Sequence, residues 1–291
     1  MDPVLRPRSY QNSAAQIKAL FPPASITLQN LVIRKTEKHL YEFLERVLVP
    51  GRLRGFATGP QWREDLPYVH QFLRSPAARN LLSISIDGIE DAYDQSLGAT
   101  EASLVHETLG ATLAQCMCAQ YVHFGLIIDR ETRNLWPDEG PLSESAPSTW
   151  CPLLANLPAS LRALSLHVWI LIYPGPPLTR GWARATRGWN SAARSLAAAD
   201  RSLDPAGEGR RFRHLRSVEL HVHFCYIETS GGRGDDAVEK RARRDIDSER
   251  AAMPLPRLKA AGLLREFRVN NMVHDPDHSG EFMADLYWPE T

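Results

Sequence analysis

Cysteine is scarce. The 291 residues hold four, Cys116, Cys118, Cys151 and Cys225, too few and too scattered for the disulfide framework of a small secreted domain. An excess of one charge is also missing, because 34 Lys and Arg balance 34 Asp and Glu. That balance argues against a surface built for nucleic acid or for an anionic membrane. No apolar run approaches the ~20 residues that cross a bilayer; the most apolar stretch, Leu164 to Tyr173, is interrupted by His167. Met1 to Tyr10 carries arginines and prolines where a secretory signal would have its apolar segment. The expectation is an intracellular protein, cytoplasmic or nuclear, with no membrane partner and no nucleic acid.

Familiar chemical signatures are missing too. The chain has no Walker-type phosphate loop, no Rossmann glycine fingerprint and no G-x-S-x-G nucleophile elbow. Gly231, Gly232 and Gly234 lack the Lys-Ser/Thr that a phosphate cradle needs, so a flexible loop is expected there. Asp235 and Asp236 read as solvating or capping residues, and Arg210, Arg211, Arg213 and Arg216 as an Arg-rich strand entry. Cys116 and Cys118 stand one residue apart with no second pair, which makes them ordinary buried thiols and not a zinc site. No cofactor is expected, and no catalytic residue or metal ligand can be assigned.

What is present is a repeat. With hydrophobic residues at 43%, apolar side chains recur at positions 1, 4 and 6 of seven short copies. These are Leu28, Leu31, Ile33; Leu53, Phe56, with Thr58 weak; Leu81, Ile84, Ile86; Tyr121, Phe124, Leu126; Leu161, Leu164, Leu166; Leu215, Val218, Leu220; and Leu264, Phe267, Val269. Positions 4 and 6 share one face of an extended strand, and position 5 points away. Between the copies the periodicity is helical. Leu40, Phe43, Leu44, Val47 and Leu48 form one stripe in Thr36 to Leu48, stopped by Pro50 and Gly51. Leu66, Val69, Phe72 and Leu73 form a second stripe, and Val105, Leu109, Leu113 and Cys116 a third. A fourth runs from Trp182 through Ala185, Trp189 and Ala193 to Leu196.

The steps from Leu28 to Leu53 and from Leu53 to Leu81 match the ~20–29 residues of a leucine-rich unit. Later steps are longer, with insertions at Trp136 to Pro152, Pro174 to Arg180, Leu203 to Arg210 and Ser230 to Ala252. Three segments carry the repeat most clearly: Leu161 to Val168, Leu215 to Val222 and Leu255 to Val269. In these the chain resembles the leucine-rich-repeat superfamily, and its phrasing is similar to the repeat region of fungal F-box-type proteins. The resemblance covers roughly residues 24 to 272 and implies an α/β, irregular leucine-rich-repeat-like open solenoid of about seven parallel strands. Residues 1–23 would form an N-terminal segment and 273–291 a C-terminal tail. The chain departs from the pattern where the family has Asn or Cys three residues after position 6, with Thr36, Gln61, Ile89, Asp129, Trp169, His223 and Met272 instead. No F-box signature is found, and Met1 to Ala24 is short for one, so a ubiquitin-ligase adaptor role would need an F-box supplied elsewhere. The alternative architecture is an α/β barrel; polar position-5 residues such as Ser85, Ser165, Glu219 and Arg268 favour the open form.

Ten histidines supply the one chemical feature. His221 and His223 leave the same face of one strand, and His167 holds the place equivalent to His221 on the neighbouring copy, so a three-histidine cluster is geometrically allowed. Two functions follow. The preferred one is a non-enzymatic module that binds a protein partner, with target recognition related to F-box proteins as its expected role, through outward residues Ser165, His167, Trp169, Glu219, His221, His223, Arg268 and Asn270. The alternative is a metal-dependent hydrolase using His167, His221 and His223, which resembles an H-x-H metal-hydrolase strand placed in the wrong order along the chain.

Overall fold

The computed structural model describes residues 21–33, 38–59, 65–90, 99–128, 151–172, 193, 196–204, 210–227 and 255–274. Seven strands, β1 (Asn30–Ile33), β2 (Gly55–Thr58), β3 (Ser83–Glu90), β4 (Tyr121–Ile128), β5 (Ala163–Ile172), β6 (Ser217–Ile227) and β7 (Leu264–His274), lie side by side in chain order. Every pairing is parallel. Parallel neighbours require a crossover, and each crossover carries a helix: α1 (Lys38–Val47), α2 (Leu66–Arg74), α3 (Ala99–Gln115), α4 (Cys151–Ala155), a helical stretch at 196–203, and α5 (Pro256–Ala260). β1 and β7 stand at opposite ends of the order, so the sheet is open and the barrel alternative is not formed.

The alternation of the strands divides the sheet into two faces. Position-4 and position-6 side chains, among them Phe56, Ile84, Ile86, Phe124, Leu164, Leu166, Val218 and Leu220, are fully or almost fully buried in one continuous core. The helical stripes close that core: Leu44, Val47 and Leu48 from α1 and its end, Leu66, Val69, Phe72 and Leu73 from α2, and Leu109 and Leu113 from α3 are all buried. Thr58, the polar exception at position 6, is tolerated because its hydroxyl hydrogen-bonds the Tyr41 hydroxyl at 3.2 Å, and Tyr41 packs on Phe72. The expected helix from Trp182, the charged run after Ser230 and the N- and C-terminal segments lie largely or wholly outside the described residues.

A backbone ladder fixes the register. The N–H groups of Arg54, Leu82, Gln120, Arg162 and Arg216 donate to the carbonyls of Gln29, Arg54, Leu82, Gln120 and Arg162 at 2.7, 2.7, 2.8, 2.7 and 2.8 Å. Gln120 is therefore the second residue of the fourth copy, and Ala119, not Tyr121, is its first. Val122 pairs with Ile84 and Leu164, which makes Val122 and Phe124 positions 4 and 6. The sequence expectation misplaces this copy by two residues because Ala119 is small and Tyr121 is large. In the last copy a register shift puts Phe267 beside Leu220 and Glu266 beside Glu219, so Glu266, and not Arg268, occupies position 5.

Late in the chain one side chain joins two crossovers. Asp200, buried in the 196–203 helix, accepts the N–H groups of Arg257 at 3.0 Å and Leu258 at 2.9 Å at the start of α5. Removing the carboxylate leaves two donors without that acceptor, one of them in a buried bond. Asp200→Ala is expected to cost about 2 kcal/mol, read as a lower denaturation midpoint at unchanged denaturant dependence.

Candidate functional site in a buried histidine seam

The face of the sheet opposite the main core is polar in its middle. One row across it runs Ser85, His123, Ser165, Glu219, Glu266, and the next runs Gly125, His167, His221, Arg268. Asp87 enters between them. The β3–β4 register shifts between Ile86 and Ile89, where Gly88 adopts φ +72°, a bulge conformation that suits glycine. A Cβ on the neighbouring Gly125 would collide with Oδ1 of Asp87. The bulge and the missing side chain together let the Asp87 carboxylate reach His123 Nε2 at 3.2 Å. On its other side His123 Nδ1 meets the Ser165 hydroxyl at 3.1 Å.

From His123 the imidazoles continue across three strands. His167 meets His123 edge-on at 4.7 Å between ring centres and stacks on His221 at 4.6 Å, with His223 at 5.4 Å. Potential ligand atoms of His167, His221 and His223 all lie within 4.8 Å of one another. The seam ends at Glu266, whose carboxylate is 3.6 Å from His221 Nε2 and is paired with Arg268. Burial, with repulsion from His123, His221 and His223, pushes the His167 pKa down from 6.5 to about 2. Burial and then His221 lower that of His223 to about 4. Both rings are therefore neutral at physiological pH, which is the form that can donate at one nitrogen and accept or ligate at the other.

The register brings His167 beside His221 and Trp169 beside His223. It places Arg268 opposite His221 and the backbone of Asn270 opposite His223. Three of these sites need correction. Ser165, Trp169 and His223 were expected to face solvent, and all three are buried. Trp169 lies flat on His223, with ring centres 4.0 Å apart, and belongs to a small apolar cluster with Ile127, Cys225 and Leu171. His167, Glu219 and His221 are half-buried, and the Arg268 side chain is exposed. Cys118 is also exposed, against the expectation of a buried thiol, whereas burial pushes the Cys225 thiol up to about 12. Sequence reasoning missed His123, Asp87 and Glu266. His123 follows once the fourth copy starts at Ala119, since position 5 is then His123 and not Gly125.

Asp87, His123 and Ser165 have the residue types of a nucleophilic triad. A nucleophilic serine must meet substrate beside oxyanion donors, and here all three side chains are less than a tenth exposed, an arrangement that acts as a hydrogen-bonded polar network. No protein-family model matches the chain, and no curated protein or solved structure matches it.

Two outcomes test the burial of the seam. Trp169→Ala is expected to lower stability by about 3–5 kcal/mol, as a core truncation does, in a denaturant titration. Acid should destabilise the fold. Folded His167 and His223 refuse protons that the unfolded chain accepts near pH 6.5, so their stabilising contribution is complete above 6.5 and declines as the pH falls towards 4. A denaturation midpoint lower at pH 5 than at pH 7, with the difference reduced in His223→Gln, is the expected result.

Proposed function

We propose that this chain is a leucine-rich-repeat-like recognition module that binds another protein without catalysing a reaction, in the manner of the target-binding half of F-box-type proteins. The observation that carries the reading is the strand order: seven parallel strands in chain order, each followed by a helix-bearing crossover except the last, with a backbone ladder linking equivalent positions. This is how solenoid repeats stack, each copy burying the apolar face of its neighbour. The support is a likeness of architecture.

Contacts to a partner fall on part of the surface the sequence favoured, with Glu266 added to it. Trp169 and His223 are already covered, so the docking residues are those at the last two strands that remain accessible, Arg268 and Glu266 with the half-buried His221 and Glu219. Arg is among the residue types that dominate interface energies. The metal-dependent hydrolase has one observation in its favour, the convergence of His167, His221 and His223, and that convergence supports metal binding without specifying a substrate.

The test is capture from the native cell followed by affinity measurement with the purified partner. Arg268→Glu is expected to weaken capture by about 1–3 kcal/mol without changing thermal stability, while Arg79→Ala, at an exposed site far from the seam, leaves it unchanged. Equal capture by the wild type and Arg268→Glu would remove this surface. Co-purification of ubiquitin-ligase subunits would support the relation to F-box proteins.

A further inference from the structure

We propose that His167, His221 and His223 form a binding site for one divalent transition-metal ion of the zinc class. The argument begins with placement. An H-x-H pair on β6 and the His167 of β5, in register with His221, put three imidazoles on one face of two adjacent strands. All three potential donors lie within 4.8 Å of one another. Tetrahedral zinc holds imidazole nitrogens at ~2.0–2.1 Å and hence ~3.4 Å apart. Closing from the present spread to that distance needs His167 and His221 to tilt out of their stack.

The surroundings favour the same ion class. Three nitrogen donors suit zinc, copper, nickel or cobalt, whereas magnesium and calcium demand oxygen. The Glu266 carboxylate lies 3.6 Å from His221 Nε2, within a small side-chain shift of the place from which a carboxylate orients an imidazole that ligates through its other nitrogen, here Nδ1. Trp169 lies flat against His223 and restricts that ring. The fourth position of the ion falls to water or to a group brought by a ligand. This site is independent of the recognition reading, since a chain that binds metal and captures no partner retains it.

The experiment uses the full chain, stripped with a chelator, dialysed and titrated with Zn²⁺ by calorimetry and with Co²⁺ by visible absorption. The expected result is one ion per chain, a nitrogen-ligated cobalt spectrum and a rise in Tm at saturating zinc. His221→Gln and His223→Gln should each weaken zinc by about 100-fold or more, Glu266→Gln by roughly 10-fold, and His39→Ala, at an exposed histidine of α1, should leave binding intact. Circular dichroism identifies any variant that fails to fold, and the wild-type stoichiometry and cobalt spectrum then decide. Failure of the wild-type chain to take up an equivalent of zinc would overturn the proposal. So would affinity unchanged in both folded histidine variants, or Mg²⁺ binding as tight as zinc.

Discussion

Everything in this molecule depends on the register of its parallel strands. The ladder through Gln29, Arg54, Leu82, Gln120, Arg162 and Arg216 aligns the first six copies at the same point of each strand entry. Side chains alternate with a period of two and neighbouring strands lie ~4.8 Å apart, so a residue type at one position stands beside the same position on either side. Leucine, isoleucine and phenylalanine at positions 4 and 6 thereby become one core. By the same rule His167 and His221 are bound to touch once their copies stack.

The second face takes on a cost that the first avoids. Burying polar groups is unfavourable unless partners are supplied; the seam supplies them at its Asp87 end, from Asp87 to His123 and from His123 to Ser165, while at its other end Glu266 pairs with Arg268 and lies 3.6 Å from His221. The backbone is adapted to it. Gly88 opens the bulge that admits Asp87, and Gly125 withholds the side chain that would block it. Histidine fits such a row because a neutral imidazole both donates and accepts, whereas a row of lysines or glutamates at this spacing would repel itself.

Much of this was legible from the residues. The alternation of strand and helix, the apolar faces of α1, α2 and α3, the parallel open sheet and the pairing of His167 with His221 all follow from periodicity, because burial of a repeated stripe leaves few arrangements. The identity of neighbours in copies four and seven was not legible. A slip of two residues preserves which face a side chain occupies and moves it to another row, so reading Tyr121 as the start of copy four kept Phe124 in the core and hid His123. In copy seven the shift after Val218 moved Arg268 from beside Glu219 to beside His221. The burial of Trp169 was illegible for a different reason: an aromatic ring on the face away from the core reads as exposed until its contacts with Ile127, His223 and Cys225 are known.

That burial leaves two kinds of environment along the same strands. Along the seam the side chains that reach solvent lie at its β6–β7 end, where Arg268 is exposed and Glu266 partly so. An ion held by His167 and His221 would tie β5 to β6, and the connection from Ile172 to Ser217 is the longest between consecutive strands of the sheet. Joining the ends of a long loop removes more freedom from the unfolded chain than joining those of a short one, though the gain grows only slowly with length. A metal at this place would therefore act first as a staple across the longest crossover.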